Sequence, residues 1–183
     1  MAVEFFDVHK QPLRSAVQGP RVRWTKPPED FYKANFDAAL FDTSNMTGIR
    51  VVIRDCNGNI IGALSQKIAL PQSIEQARAL AATRAMAFAR ELSLFKVIFE
   101  GDCRWIIKAI NTKEPCHTLF GHIIEEIWSL APSLMTCNFQ HVKREGNNLA
   151  HVLARRAVVS TDTDVWVEEL HVDLDDVFNL DLA

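Results

Sequence analysis

Two aspartates, Asp37 and Asp102, each follow or end an apolar segment and could form one site together. Asp37 comes near the end of the apolar segment 31–39, and Asp102 closely follows the apolar segment 96–100. In open α/β sheets ligands gather at the carboxyl ends of strands, and two neighbouring carboxylates repel each other unless a cation or a proton neutralises them. Mg²⁺ suits such a pair, because it takes a few carboxylates together with water and phosphate oxygens. The alternative is that each aspartate only turns the chain after its strand.

The first three strands are predicted from β-branched and alternating segments, at residues 31–39, 49–55 and 60–70. The last two segments are joined by Asn57-Gly58, a pair that readily adopts the positive φ of a tight turn. Three strands joined in this way form an antiparallel meander, which commonly buries one face and exposes the other.

The rest of the chain alternates helices with strands. Ser73 followed by Gln76 forms a capping-box pattern, and apolar residues then recur at spacings of three and four as far as Leu92. The later elements are a strand at 96–100, helices at 105–110 and 119–130, a strand at 137–143 and a helix at 147–158. Strands separated by helices run parallel to one another. The predicted fold class is therefore α/β, with a five-stranded mixed sheet flanked by helices.

Charge divides the chain into a basic body and an acidic end. Residues 160–183 hold six Asp and two Glu and no Lys or Arg, a charge of −8. All 20 basic residues therefore precede residue 160, against the remaining 15 acidic ones, and the body carries +5. A body of that sign can attract a polyanion. We expect a leader at 1–23, a domain at 24–159 and an acidic tail at 160–183.

The N-terminal segment is acidic where a secretion signal would be basic and then apolar, and no stretch approaches the roughly 20 apolar residues that span a bilayer. The four cysteines form no CxxC pair, so they indicate free thiols rather than a zinc or redox site. We expect an intracellular monomer, cytoplasmic or nuclear, that is not secreted and does not contact a membrane.

Five sets of short motifs follow one another along residues 24–183: Trp24-x-x-Pro27-Pro28 with Lys33-Ala-Asn35-Phe-Asp37-Ala, Val51-Val-Ile-Arg54-Asp55-x-x-Gly58, Phe99-Glu100-Gly101-Asp102, Arg144-Glu145-Gly-Asn147-Asn-Leu-Ala150-His151-x-x-Ala154, and Val165-Trp166-Val167-Glu168-Glu169-Leu170. In this order they resemble the plant and retroelement branch of ribonuclease H-like domains. An ordered set of this kind is specific where any single motif would not be.

The resemblance implies a ribonuclease H-like fold and a nuclease that cleaves the RNA strand of RNA–DNA hybrids by two-metal phosphodiester hydrolysis. The implied cofactor is a pair of Mg²⁺ ions, for which Mn²⁺ can substitute. Asp37 and Asp102 match metal-binding aspartates of the family. His151 matches a catalytic position at which this branch often carries histidine. Arg144 and Asn147 are the predicted nucleic-acid-binding residues.

One position departs from the family pattern. The branch reads Ala-Glu-Ala-Leu early in its long helix, 24 residues before the position of Asp102, and here that register reads Ala77-Arg78-Ala79-Leu80. A guanidinium keeps its proton and only donates hydrogen bonds, so Arg78 cannot bind a metal ion. Glu75, one helical turn earlier, is a substitute carboxylate, although an acid in the first turn also simply favours the helix dipole.

Three functions stay open at this point. The chain is a Mg²⁺-dependent ribonuclease H, a catalytically inactive descendant that binds nucleic acid or a protein, or a remnant of a retroelement. Pairing of Arg78 with Asp37 and Asp102 would form a metal-free salt bridge that can still hold a phosphate. Arg78 therefore favours binding without cleavage.

Overall fold

The computed structural model describes residues 23–147, Ala150 and residues 163–167. Ala150 is helical, and Asn147 ends a short 3-10 turn. The rest of the predicted helix at 147–158 lies outside the described residues, and so does His151.

The first half of the sheet is the predicted antiparallel meander. Its strands are β1 (Tyr32–Phe41), β2 (Met46–Arg54) and β3 (Ile60–Ala69). Asp55 closes the loop between β2 and β3, because its Oδ1 accepts hydrogen bonds of 2.8 Å from the backbone N–H groups of Asn57 and Asn59. Gly58 has a φ of 93°, which favours glycine. The hairpin prediction is therefore confirmed.

Three further strands complete the sheet: β4 (Lys96–Gly101), β5 (Thr136–His141) and β6 (Thr163–Val167). The order is β5-β4-β1-β2-β3-β6, with β4 parallel to both β1 and β5 and with β6 antiparallel to β3. The expected count of five strands is wrong, since the described sheet has six. Residues 163–167, assigned by sequence to the acidic tail, alternate between exposed and half-buried positions and cover the outer edge of β3.

The described helices are α1 (Ile74–Glu91), α2 (Arg104–Thr112) and α3 (Gly121–Leu130). As predicted, Ser73 caps α1: its Oγ accepts a hydrogen bond of 3.1 Å from the backbone N–H of Gln76. The Gln76 side chain accepts one in turn from the backbone N–H of Gln72. Buried alanines line α1 where it packs on β1 and β2. None of the described helices is both long and apolar enough to cross a membrane.

The two faces of the central strands differ in chemistry, because successive side chains of a strand point to opposite faces. Ala34 and Phe36 of β1 belong to the hydrophobic core against which α1 packs. The opposite face, which we call the polar face, carries Lys33, Asn35, Asp37, Arg50 and Arg54. Each of these five residues is at most 3% exposed. The polar face is therefore buried as thoroughly as the apolar one.

Replacing Ser73 with alanine is expected to lower the free energy of unfolding by about 1 kcal/mol, because the N–H of Gln76 loses its acceptor. Ser73→Asp keeps an acceptor at the same place and should recover most of the loss. Urea unfolding of the three proteins measures both changes. An equal loss in Ser73→Ala and Ser73→Asp would contradict the capping role.

Candidate functional site

Asp37 lies in β1 and Asp102 just after the neighbouring parallel strand β4, and both attract Arg78. Each paired residue of β1 stands opposite the β4 residue 65 positions later, from Tyr32 opposite Val97 to Asn35 opposite Glu100. The same register continued by two residues brings Asp37 level with Asp102, just past the end of β4. Asp37 lies inside β1 rather than near its end.

Gly101 allows this close approach. A Cβ at this position would stand 2.6 Å from the ring of Phe36, which is part of the core. A side chain here would therefore require the Phe36 ring or the end of β4 to shift. The glycine keeps the following Asp102 beside β1.

Two arginines face the carboxylate of Asp102. Nη2 of Arg78, on α1, lies 3.8 Å from Oδ1, and Nε of Arg144 lies 3.3 Å from Oδ2. The side chain of Asp102 is only 7% exposed, whereas that of Arg144 is 60% exposed. Arg144 therefore reaches an enclosed carboxylate from the solvent side, and Arg78 reaches it from within the fold.

The charge of Arg78 is stabilised by the aspartates. Burial by itself lowers the pKa of Arg78, but the attraction of Asp102, and after it of Cys103 and Asp37, leaves that pKa raised above its usual value. An arginine in this state stays protonated at every accessible pH. The positive charge that two neighbouring aspartates require is therefore supplied by a side chain of the protein.

The described residues do not fit a two-metal centre. Residues 23–147, 150 and 163–167 contain no group of three His, Cys, Asp or Glu side chains that could hold a metal ion. Glu75, in the first turn of α1, does not join Asp37 and Asp102 in such a group. His151 lies outside these ranges. Arg78, and the lack of a third carboxylate in the part of the chain that the structure describes, thus both oppose metal binding between the two aspartates.

A network of buried polar side chains lies next to the aspartates on the polar face. Nζ of Lys33 is 2.9 Å from Oε1 of Glu100, and Nδ2 of Asn35 donates to Oε2 of the same carboxylate at 3.1 Å. Oδ1 of Asn35 accepts hydrogen bonds of 3.0 Å from Nε1 of Trp24 and from Nη2 of Arg54. The Arg54 guanidinium also stacks 3.9 Å from the centre of the Trp24 ring. These contacts satisfy groups that would be costly to bury alone.

Asn147 belongs to the same network. Its Nδ2 donates to the backbone oxygen of Phe36 at 3.0 Å, and its Oδ1 accepts from Asn35 at 3.2 Å. Asn147 is 1% exposed, so its side chain holds the turn at 144–147 against β1. The structure therefore shows an internal role for Asn147, and its nucleic-acid contact stays a prediction. The neighbouring Arg144 does lie at the surface.

The sequence motifs contain these network residues, but the motifs do not indicate that the side chains contact one another. Lys33, Asn35 and Asp37 alternate with apolar residues, which is the usual pattern of a strand with one face in water. Here β1 is a central strand and both of its faces are buried. The sequence signal for the network was that three polar residues at alternate positions, Lys33, Asn35 and Asp37, fall on one face of a strand whose other face is apolar.

The model of a protein family described as reverse transcriptase-like matches residues 35–157. The match spans Asp37, Arg78, Asp102 and Asn147. The chain belongs to the reverse transcriptase-like family. A search of the curated proteins gave no match.

Solved ribonuclease H structures share the fold of this reverse transcriptase-like domain. RNase H1 of the archaeon Halobacterium salinarum superposes with a TM-score of 0.65 and 19% identity, over 72% of this chain and 99% of that one. The N-terminal RNase H domain of a Mycobacterium tuberculosis protein gives 0.63 and 15%, over 70% and 94%. LC11-RNase H1 in complex with an RNA/DNA hybrid gives 0.60 and 20%, over 70% and 96%. The predicted ribonuclease H-like fold is thus confirmed.

Breaking the buried ion pair of the network is expected to cost far more than breaking an exposed one. Glu100→Gln should lower the free energy of unfolding by about 3 kcal/mol, since Lys33 would keep a buried charge without its carboxylate. Glu91→Gln breaks an equally short pair with Arg84, but the Glu91 side chain is 55% exposed. That change should cost at most about 1 kcal/mol. Equal losses in denaturant unfolding would show that the buried pair does not organise this region.

Proposed function

We propose that this ribonuclease H-like domain binds nucleic acid, in the form of an RNA–DNA hybrid, and holds its backbone with arginine side chains rather than through metal ions. The observation that carries the proposal is the position of Arg78. Its guanidinium lies 3.8 Å from Asp102 and is attracted by Asp37, so it supplies the charge that a metal ion would otherwise bring.

The chemistry of arginine suits this task. A guanidinium presents several N–H donors in one plane and matches the oxygens of a phosphate in pairs. Arg78 and Arg144 flank the same carboxylate from two sides, and the side chain of Arg144 is 60% exposed. A phosphate arriving from solvent would meet Arg144 first, with Arg78 behind it.

The surface beside Asp102 also suits a nucleic acid. Arg104 and Lys108 are exposed on α2, and Trp105 between them is 72% exposed. Nζ of Lys108 lies 5.9 Å from the centre of the Trp105 ring. The basic side chains can hold the phosphate backbone of the hybrid. An aromatic ring among them stacks on unpaired bases, such as those at the end of a duplex. An exposed tryptophan side chain in the first turn of α2 is unfavourable in water unless it contacts a ligand or partner.

A hybrid duplex is the ligand favoured by resemblance. LC11-RNase H1, which shares the fold, was solved with an RNA/DNA hybrid. Double-helical nucleic acid containing RNA is recognised by its groove shape, its phosphates and its 2′-hydroxyl groups, all of which arginine side chains can contact. No base-specific contact is needed for such binding.

Hydrolysis of the RNA strand is the second candidate function, because Asp37 and Asp102 both lie near Arg78 and come from the neighbouring parallel strands β1 and β4, as a metal-binding pair would. The family resemblance assigns this reaction to two Mg²⁺ or Mn²⁺ ions, with His151 as a further catalytic residue. Arg78 argues against it, as does the lack of a third carboxylate among the described residues. Binding and cleavage are separable by experiment.

Binding of a fluorescent RNA–DNA hybrid is expected to be the same in EDTA and in Mg²⁺ at matched ionic strength. Arg78→Met should weaken it about tenfold, the effect of losing a charge-assisted contact. Arg90→Met, with the same change at an exposed site on the last turn of α1, is the control and should leave affinity nearly unchanged. Fluorescence anisotropy measures all four cases. Binding that requires Mg²⁺, or equal losses in the two variants, would contradict the proposal.

The native chain is expected not to cleave the hybrid in Mg²⁺ or Mn²⁺. Arg78→Glu should introduce cleavage, because it replaces the positive charge with a carboxylate beside Asp37 and Asp102. Asp37→Asn in that background should remove it again. Gel analysis of a labelled RNA strand detects each outcome. Metal-dependent cleavage by the native chain that is lost in Glu75→Gln would instead establish hydrolysis, with Glu75 in use.

A further inference from the structure

A row of polar residues crosses the sheet at the level of Asp37. In the strand registers Asp37 of β1 stands opposite Arg50 of β2, Arg50 opposite Ser65 of β3, and Ser65 opposite Asp164 of β6. Directly opposed residues project from the same side of a sheet. All four side chains therefore lie on the polar face, and the row links the candidate site to the edge strand.

The centre of this row buries a full positive charge. Arg50 is 2% exposed and Ser65 is 1% exposed. Burial lowers the pKa of Arg50 to about 10, and the attraction of Asp164 opposes that change. Arginine does not give up its proton under ordinary conditions, so the burial is a cost that neighbouring carboxylates must offset.

Two carboxylates of the row can do so, one on each side of Arg50. Directly opposed residues have Cβ atoms roughly 5 Å apart, which puts Asp37 within easy reach of the arginine. Asp164 is two strands away, on the order of 10 Å, a gap that an arginine and an aspartate can close together. The only amino acid between them, Ser65, is too small to block the path.

We propose that Arg50 is a positioning residue whose buried guanidinium is shared between Asp37 of the candidate site and Asp164 of β6, so that docking of β6 sets how much positive charge reaches Asp37. The strand β6 is five residues long and forms the outer edge of the sheet, pairing with β3. Because β6 is short and is paired on one side only, it is the described strand whose undocking disturbs the rest of the sheet least.

The consequence for the site follows from charge. With β6 docked, Asp164 draws part of the Arg50 charge away, and Asp37 is left to attract Arg78. Without Asp164, Asp37 is the carboxylate of the row that stays beside Arg50, so the candidate site becomes more positive and holds an anionic ligand more tightly. This consequence for ligand binding rests on the proposed function, whereas the sharing of Arg50 does not.

A double-mutant cycle in unfolding tests the sharing. Asp164→Asn and Asp37→Asn each leave Arg50 one carboxylate of the row, and the two together leave it none. The double variant should therefore have an unfolding equilibrium constant about tenfold larger than the two single effects predict, or ~1.4 kcal/mol of coupling. The matched control is Asp102→Asn combined with Asp164→Asn, which should be additive because Asp102 faces Arg78 and Arg144.

The Arg50→Met background gives the decisive comparison. Methionine fills similar space without a charge, so the coupling between Asp37 and Asp164 should vanish there. Coupling that persists in Arg50→Met, or additivity within about twofold in the native background, overturns the proposal.

A measurement on a single variant covers the case in which the double variant does not fold. The ¹⁵Nε–H resonance of Arg50 should shift in Asp164→Asn and stay in place in Asp102→Asn. An Arg50 resonance that is identical in the native chain and Asp164→Asn overturns the proposal by itself.

Hybrid binding separates this proposal from the proposed function. Asp164→Asn should tighten binding about threefold at low salt, and the gain should shrink as salt is raised. Coupling in the unfolding cycle together with no hybrid binding by the native chain overturns the proposed function and supports the link through Arg50. Tighter binding without coupling overturns the link instead.

Discussion

The buried ion pair between Lys33 of β1 and Glu100 of β4 fixes how the two central parallel strands stand against each other. Glu100 also accepts from Asn35, so Lys33 and Asn35 of β1 converge on one carboxylate. A slip of one residue would turn these side chains into the apolar core, where their charges have no partners. The register that satisfies Glu100 is the same register that brings Asp37 level with Asp102. The Lys33–Glu100 pair, which lies outside the candidate site, therefore helps to set the positions of the two aspartates.

Arg78 changes what this geometry can do. A metal centre is complete only when ions are bound, and its charge then depends on their concentration. A guanidinium is covalently attached to α1, so the two aspartates are neutralised as soon as the chain folds. Arg78 and Arg144 both approach the carboxylate of Asp102, and Arg78 also attracts Asp37. The fold accepts a guanidinium in place of metal ions because its stability comes from elsewhere. The alanine-lined contact of α1 with the sheet and the buried polar network beside the site supply that stability.

The local elements of this fold were open to prediction because their causes are local. Ser73 and Gln76 announce the start of α1, and the Asn57-Gly58 turn announces the first hairpin. The meeting of Asp37 and Asp102 could be predicted in part, since both were assigned to neighbouring parallel strands, although Asp37 lies inside β1 rather than at its end. The network could not, because nothing in the alternation of Lys33 and Asn35 with apolar neighbours states that both faces of β1 are covered.

The sixth strand was missed for a related reason. Its five residues sit in a segment whose dominant feature is negative charge, and pairing with β3 is a property of the folded sheet rather than of the segment. The internal hydrogen bonds of Asn147 could not be predicted from the sequence either, where it was named only as a nucleic-acid-binding residue. Its burial depends on partners in β1, more than a hundred residues earlier.

That separation has a consequence for the order in which the molecule can form. Asn35 and Asn147 are hydrogen-bonded across 112 residues of sequence, and Asn35 and Glu100 across 65. Closing such long loops costs entropy before the contacts that reward it exist. On a ribosome β1 and its hairpin emerge before Asn147, so the polar side of β1 cannot be completed until residue 147 has been made. The polar side of β1 therefore stays incomplete while the residues between β1 and Asn147 are being made, and charged side chains on an open strand oppose its pairing with other unfinished sheets.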